Sequence, residues 1–307
     1  MKRDFLKLTD LSRDELYLLL DRSQELKRLN KQGREPKPLA GKTLAMIFEK
    51  RSTRTRLSFE TGIHQLGGFP IFMSPEQMQL SRGEPIQDTA RVLSRYVDGV
   101  IIRNDSHRQL LEFARCATVP VLNALSDIHH PCQVLSDLFT IREAGLNIDK
   151  MKLAYIGDPN NVFNSWLDAS AMLGFELRLA SPKGYKPDPL VLKAAAKAGK
   201  VSFRHYPKPQ SAAKGADVLY TDVWVSMGQE AAAKKKIAAF RGFQLNEKIL
   251  AAVGKKPLVM HCLPAHRGQE ITDQLMEKYA ELIFTQAENR LHCQKAILEF
   301  FVSGNKP

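Results

Sequence analysis

Phe48-Glu-Lys-Arg-Ser-Thr-Arg-Thr-Arg56 is the stretch whose reading decides the fold. Before it, Thr43-Leu-Ala-Met-Ile-Phe48 is a short, nearly unbroken apolar run, the pattern of a strand buried on both faces. After it, Phe59, Ile63 and Leu66 recur at i, i+4 and i+7 and end at Gly67-Gly68, which predicts a helix with a glycine stop. Ser52-Thr53-Arg54-Thr55 therefore falls at a strand-to-helix turn, on the first turn of the helix. Free backbone N–H groups and the positive end of the helix dipole meet there. Hydroxyls and the guanidiniums of Arg51, Arg54 and Arg56 add to them. Such a turn suits a doubly charged phosphate. The plainer alternative is a well-capped surface helix with scattered arginines.

The bulk properties narrow the class. A chain of 307 residues suits two α/β domains, or one large one, with ample core. With 44% hydrophobic and 25% charged residues it reads as an ordinary soluble globular protein. No apolar run is long enough to predict a transmembrane helix. The start, Met1-Lys-Arg-Asp-Phe-Leu-Lys7, has no apolar core of a signal peptide, so a cytoplasmic location is expected. Cys116, Cys132, Cys262 and Cys293 form no CxxC pair, and reduced thiols are the default. The net charge of +12 admits nucleic acid, an anionic membrane or anionic small substrates. The basic residues read as dispersed, however. Their one tight run, Lys234-Lys-Lys236, sits in an alanine-rich helix expected to be solvated. Zinc-finger spacing and aromatic RNA-binding patterns are absent. Anionic metabolites are favoured over nucleic acid or membrane.

Along the chain, strands and helices alternate. Ser12-Arg-Asp-Glu15 is a capping box ahead of a helix marked by Leu16, Leu19, Leu20 and Leu26. Strands are predicted over 43–48, 68–73, 99–102 and 119–123, with helices between them. Residues 74–85 read as a mobile loop of the kind that covers a site. Ile128-His-His-Pro-Cys-Gln133 leads into a helix ending near Gly145. A second β-α set starts at Lys152 and continues with strands over 176–180, 201–203, 217–221, 256–260 and 282–284. This predicts an α/β protein of two doubly wound parallel-sheet domains, over 1–140 and 141–290, with a C-terminal helix from about Leu291 packing back on the first.

Polar residues collect just past the carboxyl ends of the predicted strands: Arg51 to Thr55, Arg103, His130 with Gln133, Asp158 to Asn161, Asp222 to Met227, His261 with Cys262, and Arg290. Open parallel sheets bind ligands there, and two facing sheets would make a cleft holding the active site. The first half brings arginines, His130 and hydroxyls, which suit an anion. The second brings Asp158, Asp222, Asn161 and a thiol, which suit a cation or amine. That asymmetry points to a two-substrate enzyme. His130 is either a plain loop histidine or a neutral donor to a carbonyl oxygen that gains charge. Cys262 is either an inert core thiol or a functional one. Metal binding by His129, His130, Cys132, His261, Cys262 and His266 is disfavoured, because their spacing matches no closed zinc site.

Taken together these motifs resemble the aspartate/ornithine carbamoyltransferase family. Residues 48–56 look like its carbamoyl-phosphate signature and His130-Pro-Cys-Gln133 like its second phosphate-domain motif. Asp222-Val-Trp-Val-Ser-Met-Gly228, His261-Cys-Leu-Pro-Ala265 and Glu288-Asn-Arg-Leu-His292 resemble its ornithine-specific branch. The resemblance spans nearly the whole chain, in order. It implies carbamoyl transfer from carbamoyl phosphate to the δ-amine of L-ornithine, a trimer or multiple of trimers, and neither metal nor organic cofactor. Ser52, Thr53, Arg54, Thr55 and Arg103 would hold the phosphate, joined by Gln79 from the mobile loop, often in a neighbouring subunit's site. His130, Gln133 and Arg290 would bind and polarise the carbamoyl portion. Asn161, Asp222, Ser226 and Met227 would hold ornithine. Cys262 and Leu263 would line the junction, with Cys262 the candidate acceptor of the amine proton. The family often carries a lysine near Glu84. Here Ser81-Arg82-Gly83 precedes Glu84, so either Arg82 substitutes or the contact is absent. An acylated ornithine or another amine as acceptor, and a non-catalytic metabolite-binding subunit, are the competing readings.

Overall fold

The computed structural model describes residues 2–74, 76, 78, 83–225 and 233–303. Gln79, Arg82, Ser226 and Met227 lie outside the described residues. The chain divides into two compact units, one made of residues up to Phe139 together with those from Asn289, the other of Thr140–Glu288.

In the first unit, α1 (Arg13–Lys31) begins at the expected capping box. Glu15 N–H donates to Ser12 Oγ at 3.2 Å and Ser12 N–H to Glu15 Oε2 at 2.9 Å. Then come β1 (Thr43–Phe48), α2 (Thr53–Gln65), β2 (Phe69–Met73), α3 (Ile86–Leu93), β3 (Gly99–Arg103), α4 (His107–Cys116), β4 (Val121–Leu125) and α5 (Pro131–Glu143). The four strands form one parallel sheet in the order β2-β1-β3-β4. β1 and β3 lie at its centre, so both of their faces are buried and both are apolar throughout except for Thr43 and Arg103 at the ends. Beyond β4, Phe5 covers the free edge, its N–H donating to Val121 O at 2.9 Å and its C=O accepting from Asn123 N–H at 2.8 Å. An edge so paired offers no row of open donors to another chain.

The second unit runs β5 (Lys152–Ile156), α6 (Asn161–Leu173), β6 (Glu176–Ala180), α7 (Pro189–Ala198), β7 (Ser202–Tyr206), α8 (Pro209–Ala213), β8 (Val218–Thr221), α9 (Ala233–Phe240), α10 (Glu247–Ala252), β9 (Leu258–His261), α11 (Asp273–Lys278) and α12 (Ala280–Val302). α12 passes on into the first unit. The five strands form a parallel sheet in the order β7-β6-β5-β8-β9. Trp224, Phe240, Phe243, Leu245, Ile249, Ile271 and Leu275 pack with the apolar residues of β5, β8 and β9 on one face. Among the described residues, no helix is long and apolar enough to cross a membrane.

Four expectations need correction. Leu282-Ile-Phe284 is not a strand but part of α12. Ile283, Gln286, Asn289 and Arg290 are buried while Glu281, Phe284 and Glu288 are exposed. This is a helical period whose inner face is largely polar, so apolar residues alone did not reveal it. Arg290 consequently stands in mid-helix, not past a strand end, and the C-terminal helix starts at Ala280 rather than about Leu291. The lysine run is also not wholly solvated: Lys234 and Lys235 are exposed, but Lys236 is buried.

The close of α7 shows how tightly its neighbour constrains it. A Cβ at Gly199 would lie 2.1 Å from the carbonyl oxygen of Ala171 in α6, which is backbone and cannot step aside. Gly199→Ala is expected to cost about 1–3 kcal/mol and lower the unfolding temperature by several degrees in a thermal melt; an unchanged melt would refute this packing.

Candidate active site

Each sheet reverses its strand order once, between β1 and β3 in the first unit and between β5 and β8 in the second. The crevice outside the carboxyl ends of strands at such a reversal is where open α/β sheets bind ligands. Ser52–Thr55 follow β1 and Arg103 ends β3. Asp158–Asn161 follow β5 and Asp222 follows β8. Both sets of polar residues therefore stand at reversals.

In the first unit the centre is the Thr55 hydroxyl. It is buried and accepts from Arg290 Nη2 at 2.6 Å and from Arg103 Nη1 at 3.3 Å. Bonds from a charged donor to a hydroxyl are worth about 1.5–3 kcal/mol each. Ser52 is the residue before α2, and its side chain does not cap the helix, so the first-turn N–H groups keep no side-chain acceptor from it. Thr53 opens the helix on the exposed side. Arg54 lies half-buried in the same turn; its Nε and that of Arg103 are buried without a hydrogen-bond partner in the protein. Burial, then the charges of Arg290 and Arg54, pull the Arg103 guanidinium down to about 10 against the opposing charge of Asp105. Guanidiniums packed this way repel one another and lose hydration, and an anion relieves both costs.

At the start of α5, His130 is buried, and burial followed by the charges of Arg290 and Arg103 holds its imidazole well below the ordinary histidine range. It is neutral at working pH, fit to donate to an oxygen without adding charge. Gln133 donates from Nε2 to Asp137 Oδ1 at 2.9 Å, leaving its Oε1 buried with no donor from the protein.

In the second unit Asp222 is buried and accepts from Asn160 Nδ2 at 2.6 Å and Val223 N–H at 2.8 Å. Asn160 also caps α6, its Oδ1 accepting from Val162 N–H at 3.0 Å, Phe163 N–H at 3.3 Å and Tyr155 Oη at 3.1 Å. Such a cap contributes about 1 kcal/mol. Asn161, expected in the site, is the first residue of α6. His261 ends β9 and Cys262 follows it; both are buried. Leu263 N–H donates to His261 Nδ1 at 2.9 Å, so the ring proton sits on Nε2, which faces Glu270 Oε1 at 3.1 Å. Leu263 adopts φ 56°, and its peptide bond to Pro264 is cis. Ligand atoms of Asp222, His261 and Cys262 lie within 4.8 Å of one another. Both imidazole nitrogens are already engaged, however, so the trio presents a carboxylate and a thiol rather than a closed metal cage. Asp158 pairs with Lys236 Nζ at 2.8 Å.

Two family models match in tandem. Residues 3–143 match the carbamoyl-P binding domain, and residues 149–301 the Asp/Orn binding domain, of aspartate/ornithine carbamoyltransferase. The chain belongs to the aspartate/ornithine carbamoyltransferase family. Its curated relatives include the ornithine carbamoyltransferases of Syntrophotalea carbinolica, 51% identical over 97% of this chain and 98% of that protein, and of Aquifex aeolicus, 50% identical over 98% of each. Solved structures agree in fold. The anabolic ornithine carbamoyltransferase from Campylobacter jejuni gives a TM-score of 0.92 at 46% identity, covering 98% of this chain and 99% of that one. The ornithine carbamoyltransferase from Pyrococcus furiosus gives 0.93 at 46% identity, covering 99% and 98%.

Within this family frame the structure adds residues that sequence reasoning passed over. Asn160 bonds Asp222; Glu270 orients His261; Lys236 reaches Asp158. The spacing of Asn160 one residue before a helix was the available signal for the first. The other two carry no local signal, because their partners are distant in sequence.

Buried neutral histidines make stability depend on pH. Burial first, then nearby lysines, lowers His292 to about 3. The unfolded chain binds this proton near pH 6.5 and the folded one does not, so stability is full above that pH and is lost as pH falls toward 3. The unfolding free energy is expected to drop by about 1.4 kcal/mol per pH unit on this account in mild acid. Chemical denaturation near pH 5.5 and 4.5 should show a shallower slope in His292→Gln; an equal slope would refute the assignment.

Proposed function

We propose that the protein transfers the carbamoyl group of carbamoyl phosphate to the δ-amine of L-ornithine, giving L-citrulline and phosphate. The observation that carries this reading is the cluster of buried guanidiniums around Thr55, with the neutral His130 and the open Gln133 oxygen beside it. A phosphate suits the first turn of α2 with Arg54, Arg103 and the hydroxyls of Ser52, Thr53 and Thr55. A carbamoyl group offers a carbonyl oxygen that accepts and an NH2 that donates. His130 and Arg290 match the oxygen, and Gln133 Oε1 matches the NH2. The second unit supports the amine: Asp222 holds an ammonium group with Asn161, Ser226 and Met227, and the Cys262 thiolate, beside Leu263, accepts the proton the amine must lose.

Carbamoyl phosphate is already activated, so the amine attacks its carbonyl carbon directly. The oxygen gains charge in a tetrahedral intermediate, which collapses with phosphate leaving on the Arg54 and Arg103 side. One well-placed donor to that oxygen is worth roughly 3 kcal/mol. Alignment of two bound substrates supplies much of the rest. In the cell the product would belong to arginine synthesis or breakdown, in the cytoplasm. All four cysteines are free thiols, which suits a reducing compartment.

A homotrimer, or a multiple of one, is part of this reading. Leu57, Phe69, Ile71, Val92, Tyr96 and Leu111 are exposed apolar side chains of the first unit, against Leu190 and Phe284 in the second. Such a concentration suits a surface that a second copy covers. Gln79 would then serve a neighbouring copy's site.

The test is citrulline formation by the pure protein with carbamoyl phosphate. Ornithine is expected to turn over, and N-acetylornithine, putrescine and aspartate are not. Turnover with an acylated ornithine instead would move the acceptor; none with any amine would refute the enzyme. Arg54→Ala is expected to lose activity by at least about a hundredfold with the circular dichroism spectrum unchanged. Near-normal turnover in that variant would refute the phosphate site.

A further inference from the structure

Two carboxylates, not one, end at the strand reversal of the second unit. Asp158 follows β5 and Asp222 follows β8, which pair side by side. Both are buried. Asn160 ties their backbones and side chains together: its N–H donates to Asp158 O at 2.8 Å and its Nδ2 to Asp222 Oδ2 at 2.6 Å. The cation comes from elsewhere. Lys236, in α9, turns inward from a run whose other two lysines are exposed, and places Nζ 2.8 Å from Asp158 Oδ2.

Resting on the ornithine reading above, we propose that Lys236 is a positioning residue for the amine substrate: by pairing with Asp158 it leaves Asp222, and not Asp158, as the carboxylate that takes up the substrate's ammonium group. Two neighbouring buried carboxylates without a cation repel one another, which favours a proton on one of them and weakens the attraction of the site for an ammonium. With Lys236 in place, Asp158 is ion-paired within the protein, whereas the oxygens of Asp222 take hydrogen bonds from the neutral Asn160 amide and the Val223 N–H. The surroundings agree. Burial pushes the Asp158 carboxyl up, the charge and hydrogen bond of Lys236 pull it down, and the charge of Asp222 pushes it up again. Asp222 itself faces the Asn160 amide, the Val223 N–H, the Cys262 thiol and His261, whose proton is directed to Glu270. Lys236 is therefore the cation that separates the roles of two otherwise similar carboxylates.

Steady-state kinetics of the full-length protein across about pH 6 to 9 test this. Lys236→Met is expected to raise the ornithine KM about tenfold or more while leaving the carbamoyl phosphate KM within about twofold. Its acid limb in kcat/KM for ornithine should move to higher pH, because the carboxylate pair now holds a proton. Lys236→Arg should restore both. Asp158→Asn should also raise the ornithine KM, since the unpaired lysine then competes for Asp222. The double variant D158N/K236M should bind ornithine better than either single one. An unchanged ornithine KM and acid limb in K236M would overturn the proposal, as would equal losses for both substrates with no movement of that limb. If K236M does not fold, D158N against the double variant decides, and a double variant no better than D158N overturns it. The wild-type protein is the control: no citrulline from it refutes the ornithine reading and this inference together, whereas normal wild-type turnover with an unaffected K236M refutes the inference alone.

Discussion

The hydroxyl of Thr55 takes hydrogen bonds from two buried guanidiniums that lie 48 and 235 residues away along the chain. No short peptide could hold that arrangement. It needs β3 beside β1 to bring Arg103, and α12 returning to the first unit to bring Arg290. Like charges collected in a buried place work against folding, and they persist only where the surrounding sheet and helices fix their backbones. A cluster held in this way keeps donors fixed before any ligand is present, the condition under which an anion would be bound without reorganisation. Among the described residues, no carboxylate is hydrogen-bonded to Arg54 or Arg103, so that capacity is not used up internally.

The second unit uses the same topology for the opposite charge. Its reversal lies between β5 and β8, and the residues past those strands are acids and amides rather than arginines. Here the buried like charges are carboxylates, and a lysine from α9 pairs with one of them. At the end of β9, the His261 ring is held at both nitrogens, which fixes the turn carrying Cys262 and Leu263. A four-stranded and a five-stranded parallel sheet, each with one reversal, thus carry basic residues at the reversal in one unit and acids and amides in the other. The difference resides wholly in the few residues placed at strand ends.

Much of this was legible from the sequence where the signal was local. β1 announced itself because a central parallel strand is apolar on both faces, α1 because its capping box and periodicity agree, and α2 because its apolar period ends at glycines. The strand-end placement of Arg103, Asp222 and Cys262 followed from the same alternation. The signal failed where burial was polar. The buried positions of α12 include Gln286, Asn289, Arg290, His292, Gln294 and Lys295, and from Asn289 on the helix is buried nearly all round, so hydropathy periodicity was masked and a three-residue apolar run looked like a strand. It failed again at Lys236, which is indistinguishable in composition from Lys234 and Lys235. Only the direction of a helix turn separates them.

The sequence by itself determined the element types, the parallel two-sheet class and the chemical character of each half. Those properties depend on spacing within a few residues, which the chain carries at every point. Tertiary structure alone decided which side chains meet: Thr55 with Arg290, Asn160 with Asp222, Lys236 with Asp158, Glu270 with His261. Each pair joins residues whose separation along the chain says nothing of their distance in space. Their partnership depends on sheet order and helix rotation, which are set by the packing of the whole unit rather than by any one segment.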